Sequence, residues 1–579
     1  MNNSSNTISS QSFFARDRVN KFTQQNGTRV IPDGGIQEGN GNHIRDNSFR
    51  TQANFQKNIH DKHKLSAMGG AEVRQTVNIS IPGYLYYGVD EDLWIGTNRF
   101  NYTQSYPVRP QGAALIPSAT AEQKYLVDRY LSYYANASYL YQNRYSATFS
   151  ARKDGANIFG IKTNQKFVPL WSAGLGWILS EEDFFPKKGA TFLKLRATFG
   201  YSGNAIRSVT AFPTAYYTRD SQTGLMRTIL RTPGNPSLRW EKILTKNAGV
   251  DFGLLRERIQ GSLDYYIKDG LDLLGDNIMD PTTGLGFAPA FGPTLSNRTN
   301  YANTRTKGFD AEITTRNTMG KLKWSSVTLL NFVSSRITAY AGVSNPNIVT
   351  YTNTQGSRPP VEGNPVDAIY SLPWYGLSNV DGSPLVMTEG QLTTQYGVFL
   401  NGLSYNDLIL SGSAVPTFSG SLRNILDIGR LSLSSTLSWK TGYYFRAQGI
   451  NYYQLFTVWR GHKEYTDRWQ NPGDELKTQV PAMPTAATYD ASGRRDQVYS
   501  QSEIMIEKGN HLRWNDVNIS YTLDQRSYAS LPVRSVKLFV YARNLGILWR
   551  ANSRGLDPDY PHASYPPSLS YSIGLNVNL

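Results

Sequence analysis

The residues 144–160, RYSATFSARKDGANIFG, begin with a strict alternation and end in KDGANIFG (153–160), which reads as the start of a loop. Tyr145, Ala147, Phe149 and Ala151 occupy one parity, and Arg144, Ser146, Thr148, Ser150 and Arg152 the other. A period of two places alternate side chains on opposite faces of a strand. The pattern recurs. Residues 133–141 carry Tyr133, Ala135, Ala137, Tyr139 and Tyr141 on one face, and residues 431–439 set Leu431, Leu433, Leu437 and Trp439 against Ser432, Ser434, Thr436 and Ser438. Val517, Ile519, Tyr521 and Leu523 alternate with Asn518, Ser520 and Thr522, and Val536, Leu538, Val540 and Ala542 form another such face. Counting these segments predicts about fifteen strands of about ten residues. Each would have one apolar face to cover, yet only 39% of the 579 residues are hydrophobic. That falls below the share of about 45–50% found in soluble domains.

The connections show how those faces are covered. Short turns at residues 142–144, 255–258, 317–321 and 427–429 alternate with long Gly-, Pro-, Asn- and aromatic-rich segments near 79–128, 205–236, 273–300, 340–412 and 445–508. Turns at one end and long loops at the other are the arrangement of an outer-membrane β-barrel. In a barrel the apolar parity faces lipid and the polar parity a wet lumen, so no internal core is required. The 37 tyrosines suit such a surface, because the ring is apolar and the hydroxyl stays wet. Tyr141, Tyr145, Trp240, Trp324 and Trp439, near strand ends, are candidates for the aromatic girdles. A soluble β-sandwich or propeller array would also alternate, but strand length and the absence of a blade-sized repeat favour the barrel.

Composition narrows the function. There is no cysteine, which excludes thiolate metal sites, disulfides and a cysteine nucleophile. The net charge of +15 comes from scattered residues with no dense Lys/Arg run, so a nucleic-acid partner is not expected. No stretch approaches the roughly 18 consecutive apolar residues of a membrane helix. The first twenty residues show no charged region followed by an apolar one, so no signal peptide is expected within them.

A set of ordered segments resembles one family. These are residues 144–160, then SAGLGWILSEEDFF (172–185), LKLRATFGYSGN (193–204), GNPSLRWEK (234–242) and residues 247–274. TKGFDAEI (306–313), DRWQNPGDE (467–475), LRWNDVNISYTL (512–523), VYARNLGILW (540–549) and GLDPDYP (555–561) follow in order. Together they resemble the SusC/RagA family of TonB-linked outer-membrane transporters. The resemblance implies an all-β fold, a transmembrane antiparallel barrel of about 22 strands, of which residues 1–579 supply the C-terminal two thirds. It implies import of oligosaccharides or peptides across the outer membrane of Bacteroidota. The implied partners are a SusD-like surface lipoprotein that lids the barrel, the TonB–ExbB–ExbD complex acting through a plug, and outer-membrane lipid. No signal peptide, TonB-contacting segment or plug is recognised in the sequence. The segments ARDRVNKF and NSFRTQANFQKNIHDKHKLSAMGG resemble mid-barrel hairpins. The final strand, YSIGLNVNL, ends on Leu579 where such barrels usually end on an aromatic residue. A truncated chain of this kind is not expected to transport alone; a passive barrel or remnant, and a soluble β-rich binding module, are the alternatives.

No enzyme or cofactor is expected. There is no G-x-S-x-G motif, and GLGWIL lies in a strand pattern rather than a strand-to-helix turn. His60 and His63 read as a solvated turn rather than a metal site, and Glu181–Asp183 as a charged loop rather than a calcium site. The ligand-contact candidates are loop residues able to stack on and hydrogen-bond a sugar or peptide: Trp374, Tyr375, Trp459, Arg460 and Trp469. Packing within the loops, or a place in the girdles, is the alternative role for the same side chains.

Overall fold

A computed structural model describes residues 2–578 except 61, 111, 120–123, 158–166, 187–188, 205–211, 220–222, 224, 278–296, 342–347, 354–357, 526–527, 529–530 and 562–565. Its strands run β1 Asn2–Ile8, β2 Gly35–Ile59, β3 His63–Asp90, β4 Lys124–Tyr141, β5 Tyr145–Ala156, β6 Phe167–Ile178, β7 Ala190–Asn204 and β8 Glu241–Leu254. The series continues with β9 Ile259–Asn277, β10 Asn297–Met319, β11 Leu322–Tyr340, β12 Phe418–Ile428, β13 Leu431–Thr441, β14 His511–Asp524, β15 Ser535–Arg550 and β16 Ser570–Asn578. With the short strand Ile95–Thr97 beside β3 they form one 17-stranded sheet in which each wall strand pairs antiparallel with its sequence neighbour. Nearest-neighbour pairing follows from the short turns, which leave a strand nowhere to go but back along the one before it.

The two faces are chemically distinct. Pairing puts Tyr145, Trp177, Leu195, Val250, Leu263, Ala311 and Leu330 on one face, in successive register. Phe149, Leu175, Leu538 and Ile573 share that outer face and are exposed. The other face carries ion pairs: Arg196 reaches Asp251 at 2.8 Å and Asp264 at 3.0 Å, bridging three strands. An exposed apolar outer face and a hydrogen-bonded polar inner one are what a lipid-facing wall requires. Stacked Tyr141, Tyr145 and Trp177, with ring centroids 6.3 and 6.2 Å apart, begin the girdle at the short-turn end. Trp324 is exposed at the same end, its indole donating to Asn424 at 3.0 Å.

Four expectations need correction. Trp240 is no girdle residue: it is 5% exposed and packs with Leu238 and Leu274 against Tyr130, Ala156 and Leu170 on the inner side. Many wall strands exceed ten residues, up to 28 in β3, because hairpin pairing continues beyond the apolar band. The same continuation keeps Lys153–Ala156 in β5 rather than in a loop, paired with β4, while residues 158–160 of that stretch lie outside the described residues. ARDRVNKF is not a hairpin but part of helix α1 (Phe13–Lys21), capped by Ser12. Its Ala15 and Val19, four apart, are buried with Phe22, Ile31, Ile36, Tyr87 and Ile116 in a cluster at the long-loop end. NSFRTQANFQKNIHDKHKLSAMGG does form a hairpin, between β2 and β3.

The sheet has two free edges. β1 covers only residues 36–42 of β2, and β16 pairs with β15 alone; among the described residues, no strand pairs with the side of residues 43–59 that faces away from β3, or with the far side of β16.

Candidate ligand-contact site in the long loops

The two longest loops, 341–417 and 442–510, leave the same end of the wall and fold against each other. Their contact is backbone pairing: Leu372 N–H donates to Gln501 O at 2.9 Å and Glu503 N–H to Leu372 O at 3.0 Å. Helix α2 (Tyr396–Gly402) contributes Tyr396, Phe399 and Leu400, and helix α4 (Arg494–Gln501) contributes Val498, to one apolar cluster with Leu372 and Val386. A second cluster gathers Ala447, Ile450, Tyr452, Val480, Tyr499 and Met505 around helix α3 (Tyr452–Val458). These clusters make the loops a shaped body rather than loose connections.

Buried charge fixes that body. Glu464, 5% exposed, accepts hydrogen bonds from Ile450 N–H at 2.9 Å and Tyr499 Oη at 3.1 Å and pairs with Arg554. Burial alone would raise its pKa. Hydrogen bonding to His462 and the Ile450 N–H, with the Arg554 charge, outweighs that and brings it down to about 2. Arg446, 6% exposed, donates to the carbonyls of Tyr370 at 2.5 Å and Ser502 at 3.2 Å, tying one loop to the other. Burial lowers its pKa to about 10.

Between these anchors opens a polar cavity of about 260 Å³. Arg446, Gln448, Asn451, Gln454, Arg460 and His462 line it, and no carboxylate is among its lining residues. Asn451 is placed by capping α3, its Oδ1 accepting from Gln454 N–H at 2.8 Å. Trp459, just past α3, takes a left-handed conformation (φ 56) that turns the chain, and its side chain stands exposed beside Arg460. Amide, imidazole and guanidinium groups around a small cavity can hydrogen-bond hydroxyl, amide and carboxylate oxygens.

The structure divides the sequence candidates. Arg460 lines the cavity and Trp459 is exposed next to it. Trp374 packs on Tyr499 with centroids 5.9 Å apart. Tyr375 lies partly buried against the Leu372 cluster. Trp469, 7% exposed, lies against Leu377 and Ala482, its indole donating to Glu475 at 3.0 Å. Gln448, Asn451, Gln454 and His462 are common loop residue types, and nothing in the sequence sets them apart from the many other polar residues of the long loops.

Elsewhere, His63 contacts Tyr139 Oη at 2.6 Å, and its ring lies tilted against Tyr141 with centroids 5.0 Å apart. Glu182 clasps the turn after β6, accepting from Tyr145 Oη at 2.6 Å, Trp177 Nε1 at 2.9 Å and Arg144 at 3.0 Å. Among the described residues, no group of three or more His, Asp or Glu side chains could hold a metal, and no helix is long and apolar enough to cross a membrane.

A curved antiparallel wall, apolar outside and polar inside, with turns at one end and folded loops at the other, is the barrel of an outer-membrane protein. Residues 2–545 match the family described as "TonB dependent receptor-like, beta-barrel", and the chain belongs to that family. It is 24% identical to the TonB-dependent receptor P26 of Formosa agariphila over 97% of this chain and 56% of the relative. It is 32% identical to the TonB-dependent receptor SusC of Bacteroides thetaiotaomicron over 34% of this chain and 20% of that one. The fold superposes on the structure of the RagAB peptide transporter with a TM-score of 0.71 at 19% identity, covering 94% of this chain and 56% of that one. The chain thus spans little more than half the length of the relatives matched along it. Proteins of this family are receptors and transporters, not enzymes.

Proposed function

We propose that this chain is the barrel part of a SusC-like importer that carries nutrient oligosaccharides or peptides across the outer membrane. It works with a SusD-like lipoprotein as an external lid, and the TonB–ExbB–ExbD complex drives it through a plug. Family membership, the likeness to SusC and the RagAB fold support this reading. The observation that carries it is the carboxylate-free polar cavity among the folded long loops, with Trp459 exposed beside it.

In this reading Arg460, Gln454 and Asn451 hydrogen-bond the ligand and Trp459 offers a stacking face. Trp374, Tyr375 and Trp469 support the surface from beneath. The test uses the full-length transporter in its host. Arg460→Gln is expected to weaken uptake or binding about tenfold, the loss of one charged hydrogen bond, whereas Trp469→Phe leaves the apparent affinity unchanged. Wild-type uptake in the Arg460→Gln, Gln454→Ala double variant would remove the cavity from the ligand path.

The free edges of the sheet favour a second reading for the 579 residues expressed alone, a wall that does not transport. Fractionation tests the barrel itself: recovery in the soluble fraction without detergent would contradict it.

A further inference from the structure

On the outer face of β8–β11 the chemistry changes abruptly along the strands. Tyr265, Phe309 and Phe332 stand in one register row across three strands, and all are exposed. Two residues nearer the long loops, about 6.6 Å along each strand, the row reads Lys246, Ile267, Lys307. Two residues further it reads Leu244, Asp269, Arg305, Arg336. Lys246, Arg305, Lys307 and Arg336 thus face one carboxylate, Asp269, to which Arg305 bonds at 2.6 Å and Lys246 lies at 3.8 Å. Arg336 donates to Gly363 O at 3.0 Å, while the Lys307 side chain is exposed and has no ion-pair partner among the described residues.

Height places this stripe. Lys307 precedes the strand end Met319 by 12 residues, which for a strand tilted about 40° is about 30 Å above the turns. The apolar band of a barrel is about 25 Å tall, and charges inside hydrocarbon are strongly disfavoured. The stripe therefore sits just above the hydrocarbon on the long-loop side, which is the external side of such barrels. Phe418 of β12 pairs with Phe332 and so extends the aromatic row below the stripe by one strand.

We infer that Lys246, Arg305 and Lys307 form a binding site for the phosphate groups of a phosphorylated glycolipid in the outer leaflet. Its acyl chains lie on the Tyr265–Phe309–Phe332 row directly below. Charge complementarity and the adjoining aromatic row select this occupant: Lys and Arg donate to phosphate oxygens, and among the described residues Asp269 is the one carboxylate paired with this cluster, which leaves a net positive charge.

The experiment takes the full-length transporter from outer membranes in mild detergent and counts co-purified glycolipid by native mass spectrometry. The K246Q/R305Q/K307Q variant is expected to retain less than a third of the wild-type glycolipid. The control K194Q/K268Q/R423Q, with the same charge change on the inner face, keeps it all. Lys307→Gln alone, at an exposed side chain without an ion-pair partner, is expected to lose about half, and keeps the test open should the triple variant fold poorly. Equal retention in site and control variants would overturn the site. Replacement of the glycolipid by added phosphatidylglycerol at equal phosphate would overturn the assignment to glycolipid, showing that a simple phospholipid headgroup suffices.

Discussion

Glu464 shows how single residues shape the loop body. Burial works against its charge, but hydrogen bonding to His462 and the Ile450 N–H, with Arg554, lowers its folded-state pKa from the ordinary 4.5 to about 2. A depressed carboxyl pKa contributes stability that is fully present above the unfolded value and lost as pH falls through the folded one. The loops are therefore expected to loosen between about pH 4.5 and 2, read as a change in tryptophan fluorescence, with the wall strands unaffected. Glu464→Gln should destabilise the loop body by about 1–3 kcal/mol at neutral pH and flatten that pH dependence; an unchanged acid transition would show that another group controls it. Neither Glu464 nor its partner Arg554, 90 positions away, is marked in the sequence by anything but its charge. Only folding brings them together.

At the scale of elements, the alternation was legible wherever a strand has one lipid face, as in β5, β13 and β14. The hairpin at 142–144 was legible too, and the structure supplies its cause: Gln142 and Asn143 both take positive φ, 50 and 56, in a turn closed by Arg144 N–H donating to Tyr141 O at 2.9 Å, a backbone sense that matches strand twist. Replacing Asn143 by Gly is expected to stabilise the hairpin by about 0.5–1 kcal/mol, visible as a higher temperature for the barrel's gel-mobility shift. Gly308 marks the opposite constraint, since the Tyr266 ring lies over it and an added Cβ would meet that ring. Gly308→Val should cost about 1–3 kcal/mol by the same assay. Helix α1 was missed because a nine-residue helix among strands has too few apolar positions to show its period; the Ser12 cap and its docking against Tyr87 and Ile116 decide it.

For the whole molecule, the free edges are the governing fact. Residues 43–59 of β2 pair with β3 and place Phe49 and Phe55 outward, yet their other edge has no partner strand among the described residues. An unpaired edge in lipid leaves backbone donors and acceptors unsatisfied. The 579 residues expressed without further strands are expected to aggregate or to form no heat-resistant barrel band. Supplying the remaining portion of a full-length relative should restore it. A stable, conducting barrel from the 579 residues alone would show that the two edges meet.

What the sequence by itself determined is the wall. Alternation with period two, a shortage of apolar residues and unequal connections leave a lipid-facing barrel as the arrangement that satisfies both faces of every strand. These are local properties, repeated often enough to be read without contacts. Tertiary structure alone decided which loop aromatics are packed and which exposed. It also set amides and Arg460 around one cavity and brought Lys246, Arg305 and Lys307 into two adjacent rows of the outer face. Those outcomes depend on strand register and on contacts between distant segments, and a one-residue change of register would move every side chain to the other face.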